Sequence, residues 1–197
     1  MKTGKGLATA TQLDASRRHD LEYLMHRYQQ ADAAAVAELV AILSPKLLRF
    51  FAGPWATRDL AEDALQECWL RIHQARHTHR PGTSVLPWVF AIARHTRVDV
   101  WRRSKKFRQV SLEDVASEFP ASGCETRSAI DVDRLLAELP ESQSEVIYMT
   151  KVLGLSVEET ASATGSTAGA VKQKAYRAYE RLRRLLAADS GHHSPAA

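Results

Sequence analysis

The chain has 197 residues, 45% hydrophobic and 25% charged, with a formal net charge of +4; this suits one medium or two small globular domains and excludes wholesale disorder. Its 2 cysteines stand in unlike surroundings, Cys68 within an amphipathic stretch and Cys124 among Gly and Ser, so a reducing compartment is expected rather than a disulfide framework. The polar start MKTGKGLATATQLD has no signal-peptide character, and no apolar run approaches the roughly 18 residues of a membrane span, so a cytoplasmic protein is expected.

Residues 1–20 are small, polar and without periodicity, and are expected to be disordered. Apolar residues recur at three and four over 21–28 and 33–43, which predicts a helix pair around the polar Gln29 to Asp32. Pro45 is expected to open a further helical turn or two through Phe51, ended by Gly53-Pro54.

Thr57 is a candidate cap for a helix over 58–75, with Asp59 in its first turn and Leu60, Ala64, Leu65, Cys68, Trp69 and Ile72 on the buried face. Opposite lie Glu62, Asp63, Gln66 and Glu67, with only Arg71 nearby to neutralise them. An acidic helix face is usually just solvated.

The following loop, 76–83, carries His77, His79 and Arg80, and a loop between two fixed helices is a good place to hold an extruded base. His73, His77 and His79 with Cys68 also suggest a metal. Their spacing matches no strong zinc signature and Cys68 lies on the apolar face, so no metal is expected.

A cap at Thr83 or Ser84 leads into a helix whose faces ask for different partners. Val85, Trp88, Val89, Ile92, Thr96 and Val100 share the core-facing side, and Phe90, Arg94, Arg97 and Trp101 the other. Between Ser84 and Lys106 the only acid is Asp99, against Arg94, Arg97, Arg102, Arg103, Lys105 and Lys106. Guanidinium groups pair with phosphates and exposed rings stack on unpaired bases, although such a face can also be merely solvated, with its rings packed on a neighbouring helix.

From Phe107 to about Arg127 the pattern breaks into SLEDVASEFPASGCETR, a linker between a larger and a smaller helical unit. Helices are expected over 130–139, stopped by Pro140, and over 141–153, closed by Gly154. Ser156 with Glu159 three residues on is a capping box for SVEETASAT, ended by Gly165. The last helix, about 167–187, buries Val171, Ala175, Ala178, Leu182 and Leu185 and gathers Lys172, Gln173, Lys174 and Arg177 in its first half. Two helices around a Gly-containing turn, the second basic at its start, form a helix-turn-helix pattern able to enter a DNA major groove. Arg181, Arg183 and Arg184 also suit the negative end of the helix dipole, and the tail 188–197 is expected to be disordered.

Three segments together resemble the extracytoplasmic-function (ECF) sigma factors of the sigma-70 family: LAEDALQECWLRIHQ (60–74), PGTSVLPWVFAIARHTRVDVWRR (81–103) and LPESQSEVIYMTKVLGLSVEETASATGSTAGAVKQKAYRAYERLRRLL (139–186). The resemblance covers nearly everything from 21 to 186. It implies an all-α chain with a sigma region 2 bundle over 21–106, a linker over 107–129 and a region 4 helix-turn-helix over 130–187. In such proteins the acidic helix binds the beta-prime clamp helices of core RNA polymerase, here through Asp63, Gln66 and Glu67. The loop and next helix open and capture the minus-ten promoter element, here through His79, Arg80, Thr83, Ser84, Arg94, Arg97, Trp101 and Arg102. The helix-turn-helix reads the minus-thirty-five element, here through Thr167, Lys172, Gln173, Lys174 and Arg177. The implied partners are core RNA polymerase, at its clamp helices and beta flap, promoter DNA, and an anti-sigma factor, often membrane-anchored. Gln173, Lys174, Ala175 and Tyr176 depart from the Ser, Arg and Leu-His common in the family, which bears on promoter preference.

No Gly-rich phosphate loop, HExxH or nucleophile with a base stands out, so a binding protein is expected, with no cofactor and no small-molecule substrate. One alternative is a helix-turn-helix regulator that never docks on polymerase; it explains 130–187 equally well but leaves the acidic face and the basic aromatic helix without a role. An RNA-binding antiterminator is a second alternative, distinguished by affinity for transcript.

Overall fold

The computed structural model describes residues 20–52, 56–108, 132 and 134–190. Expectations placed on the N-terminal extension, Gly53-Pro54, most of the linker with Cys124, and the tail from 191 lie outside these residues. Among the described residues the chain is helical, divided into two compact units, one holding the helices of 20–108 and the other those of 134–190. None of these helices is long and apolar enough to cross a membrane.

In the first unit, α1 (20–29) buries Leu21, Leu24, Met25 and Tyr28, the three-and-four spacing of one helical face. It ends in a Schellman turn: Asp32 N–H reaches Arg27 O at 3.2 Å and Ala31 N–H reaches Tyr28 O at 3.0 Å. Ala31 takes the left-handed position at φ 64°, where glycine is the usual occupant. Asp32 then caps α2 (Ala33–Phe51), its Oδ1 accepting from Ala34 N at 2.9 Å and Ala35 N at 3.2 Å. Arg27 Nε and Nη2 both donate to Asp32 Oδ2, at 2.8 and 2.6 Å.

The expected break at Pro45 does not occur. One helix runs through it, with Pro45 on the exposed side and the stripe Leu39, Leu43, Leu47 buried on either side of it. The lost backbone donor costs less than abandoning that continuous apolar contact would.

Helix α3 (Arg58–Ala75) follows the expected bounds, with Thr57 Oγ1 accepting from Leu60 N at 3.3 Å. Ala61, Ala64, Cys68 and Ile72 are buried, and Trp69 Nε1 donates to Ser44 Oγ on α2 at 3.0 Å. A 3₁₀ turn (Arg76–Thr78) leads into a tight turn in which Thr83 N–H reaches Arg80 O at 3.3 Å. Pro81 precedes Gly82, whose φ of 74° is what the third position of a type II turn requires.

Helix α4 (Val85–Arg108) packs against both α3 and α2. Its buried face is therefore wider than one periodic stripe, and it includes Phe90, fully enclosed and edge-on to Phe50 with ring centroids 5.3 Å apart. Of the two readings of Phe90, the ring packed on a neighbouring helix is the one that holds, and α2 is that neighbour.

In the second unit a helical stretch over 134–137 precedes α5 (Glu141–Ile147). The helix expected over 141–153 changes character at Tyr148–Val152, one wider π turn closed by Leu153 N–H to Tyr148 O at 3.0 Å. Thr150 Oγ1 donates to Val146 O at 2.7 Å, taking up a carbonyl that the regular ladder would use. Helix α6 (Val157–Thr164) has the expected capping box: Ser156 Oγ accepts from Glu159 N at 3.0 Å and Glu159 Oε2 from Ser156 N at 2.8 Å. Gly165, at φ 60°, ends it, and α7 (Ala168–Ser190) follows. Val146 of α5, Ala161 of α6 and Val171 of α7 form the buried centre, with Val157 and Ala175 packed against it.

Candidate functional site

On α3, Asp63 and Gln66 face solvent, while Glu67 keeps 31% of its side chain exposed and is engaged by cations. Its Oε1 accepts from Arg71 Nε at 2.9 Å and lies 3.8 Å from Arg103 Nη2. Arg71 also donates to Asp99 Oδ2 of α4 at 2.8 Å. The sequence reading named Arg71 alone beside the acidic face; the structure adds Arg58 at Glu62 and Arg103 of α4 at Glu67. The bond from Arg71, aided by the charges of Arg102 and Arg103, holds the Asp99 carboxyl below its usual range. Glu62 pairs with Arg58 at 2.9 Å. Leu70, 54% exposed, lies one turn beyond Gln66 and Glu67 and adds an apolar edge that the sequence reading overlooked.

The loop after α3 presents Arg80 and Thr83 outward, with Ser84 half-buried at the start of α4. Thr83 Oγ1 donates to Arg80 O at 2.7 Å. His79, expected on the surface, is 5% exposed: its ring sits edge-on to Trp88, centroids 5.4 Å apart, and its Nε2 lies 3.4 Å from Thr83 Oγ1. Burial holds this imidazole below its usual pKa, against opposing contributions from the Ser84 and Thr83 backbone. Trp88 Nε1 donates to Thr78 Oγ1 at 3.2 Å, closing the loop from the other side.

Along α4, Arg94 and Trp101 are half-buried and Arg102 is exposed. Arg97 is 8% exposed, its guanidinium 4.2 Å from the centre of the Phe50 ring. Its expected place on the DNA-facing surface is corrected: the ring of α2 draws the cation inward. On α7, Lys172, Gln173 and Arg177 are exposed and Lys174 is half-buried. Thr167 is exposed too, and its Oγ1 accepts from Ala170 N at 3.2 Å, so it also caps the helix. Tyr176, 66% exposed, sits one turn from Lys172 and Gln173 and adds an aromatic face to the residues named from sequence.

The His and Cys residues that suggested a metal are not gathered. Cys68 is buried, its thiol pushed up to about 12 by burial, and His73 Nδ1 lies 2.9 Å from the Tyr28 hydroxyl. Among the described residues no group of His, Cys, Asp or Glu is placed to hold a metal ion.

The sigma-70 region 2 model matches residues 39–107 and the sigma-70 region 4 model residues 129–182. The ECF RNA polymerase sigma factor SigF of Caulobacter vibrioides is 35% identical over 174 residues, 83% of this chain and 94% of that protein. RNA polymerase sigma factor CarQ of Myxococcus xanthus is 32% identical over 167 residues, 82% of this chain and 95% of CarQ. Among solved structures, the sigma factor RpoE in complex with the anti-sigma factor NepR from Bartonella quintana is similar at a TM-score of 0.62 and 25% identity, covering 78% of this chain and 98% of that one. With an acidic helix face in one helical unit and a basic helix-turn-helix in the other, matched by both region models, the chain belongs to the sigma-70 family as an ECF RNA polymerase sigma factor.

Proposed function

We propose that the two units divide the work of a sigma factor, with 21–106 gripping core polymerase and the open minus-ten strand and 130–187 reading the minus-thirty-five duplex across the linker 107–129. Asp63, Gln66 and Glu67 dock on the beta-prime clamp helices. Arg80, Thr83, Ser84, Arg94, Trp101 and Arg102 receive the melted strand, while His79 and Arg97 shape that surface from within. Thr167, Lys172, Gln173, Lys174 and Arg177 enter the major groove, and the beta flap receives the same unit. The observation that carries this reading is the segregation of charge: Asp63 faces solvent on α3, whereas Lys172 and Arg177 face solvent at the start of α7.

The work is binding rather than bond-making, in the cytoplasm where the polymerase and promoter are. Extruding a base costs a few kcal/mol of stacking and pairing, offset by contacts available only to the open strand. An anti-sigma factor is the expected regulator, since the similar Bartonella quintana RpoE was solved bound to NepR; membrane anchoring of that partner belongs to this proposal.

Run-off transcription with core polymerase and a randomised promoter library tests the reading. Asp63→Lys with Glu67→Lys is expected to abolish polymerase association. Lys174→Ala and Arg177→Ala are each expected to lower the salt slope of minus-thirty-five binding by about 1. A chain that directs polymerase to no start site overturns it.

A further inference from the structure

We propose that Gln29 of α1 is a positioning residue for the strand-capturing loop, holding the segment between Arg76 and Thr83 in the shape that receives unpaired DNA. This rests on the reading of that loop given under Proposed function. The Gln29 side-chain amide donates to Arg76 O at 2.7 Å and to His79 O at 2.9 Å. One NH₂ group has two hydrogens, and both are spent on carbonyls of the same loop.

Arg76 opens the 3₁₀ segment that follows α3 and His79 is the residue just past its end; the His79 carbonyl is beyond the last turn, where backbone acceptors need partners from outside the helix. Arg76 O also receives His79 N–H at 3.4 Å, so Gln29 fastens the turn at the atom that closes it. Beside it, the Tyr28 hydroxyl lies 2.9 Å from His73 Nδ1, tying α1 to the last turn of α3. From the other side Trp88 holds Thr78 at 3.2 Å. The loop backbone is thereby clamped between α1 and the start of α4, and Arg80 and Thr83 are left on its outer surface.

The physical consequence is preorganisation. A loop already in its bound shape loses less conformational freedom when a strand enters, so removing the clamp weakens capture without touching any DNA contact. Polymerase docking and duplex reading use other residues and are spared.

The experiment uses the full-length chain with Gln29→Ala, Gln29→Lys and, as a control for the loop itself, Arg80→Ala. Hydrogen exchange of the 76–83 amides is measured on the free protein. Holoenzyme affinity is measured for a fork-junction probe with an unpaired minus-ten strand and for a fully duplex minus-thirty-five probe. For Gln29→Ala, faster loop exchange and roughly tenfold weaker fork binding are expected, as from the loss of two hydrogen bonds, with duplex binding unchanged. Gln29→Lys, whose ammonium can donate to both carbonyls, is expected to restore both readouts.

Unchanged loop exchange in Gln29→Ala overturns the proposal, as does an equal loss on both probes, which marks general destabilisation. Faster exchange with unchanged fork binding overturns it too, and Arg80→Ala then separates the causes. If Arg80→Ala weakens fork binding, the loop is the capture site and the clamp is idle; if it does not, the assignment of the loop itself has failed.

Discussion

Arg71 of α3 donates to Asp99 of α4 at 2.8 Å while its Nε holds Glu67 at 2.9 Å. The one acid in an otherwise basic helix therefore joins two helices rather than facing solvent alone, and it orders a residue assigned to polymerase. Both partners are partly exposed, at 30% and 44% of their side chains, so solvent screens the pair. A double-mutant cycle of Arg71→Ala and Asp99→Ala, read by urea unfolding, is expected to give a coupling of about 0.5–1 kcal/mol. Strict additivity would show that the bridge contributes nothing.

Arg97 and Arg102 lie on one helix at opposite extremes of burial. With its guanidinium 4.2 Å from the Phe50 ring centre and only 8% of the residue exposed, Arg97→Ala is expected to cost about 1–2 kcal/mol of stability. Arg102→Ala, at an exposed position of the same helix, is expected to change the unfolding free energy by less than about 0.5 kcal/mol. Equal midpoints for the two variants would return Arg97 to the surface set.

What could be read from sequence followed the range of the interactions involved. The Thr57 cap, the Ser156 and Glu159 box and the Gly165 stop join atoms a few residues apart, so the residue types announce them. The exposed faces of α3 and α7 followed from one apolar stripe each. Helix α4 defeated the same reasoning because periodicity finds a buried face but cannot say how many neighbours cover it; α2 adds a second, enclosing Phe90 and Arg97. The loop braces were equally illegible: Gln29 meets carbonyls 47 and 50 residues away, and nothing in a polar stretch between two helices points so far along the chain. Pro45 misled in the opposite sense, since a local helix-breaking rule lost to a continuous buried stripe.

Ala31 holds a left-handed backbone at φ 64° in the turn between α1 and α2. A Cβ there costs roughly 1–2 kcal/mol, partly offset by the lower unfolded-state entropy of alanine. Ala31→Gly is therefore expected to stabilise the protein by about 0.5–1 kcal/mol, raising the urea midpoint at constant slope. A lower midpoint would mean that the methyl group makes a packing contribution larger than the strain.

His79 gives the loop a pH dependence whose sign follows from its burial. Enclosure lowers the folded-state pKa, outweighing the Ser84 and Thr83 backbone and the Glu22 carboxylate, which act in the opposite direction. In the unfolded chain the imidazole titrates near 6.5. Between that value and the lower folded one, the unfolded state binds a proton that the folded state refuses, so stability is complete above about pH 6.5 and is lost on acidification. Native protein is expected to lose stability more steeply between about pH 7 and 5 than His79→Gln, which has no group to protonate there. The His79 ring signals in an NMR titration are expected to move at a pH below the usual imidazole midpoint. A midpoint above it, or parallel stability profiles for the two proteins, would mean that the ring is charged in the folded loop and that its burial does not oppose protonation.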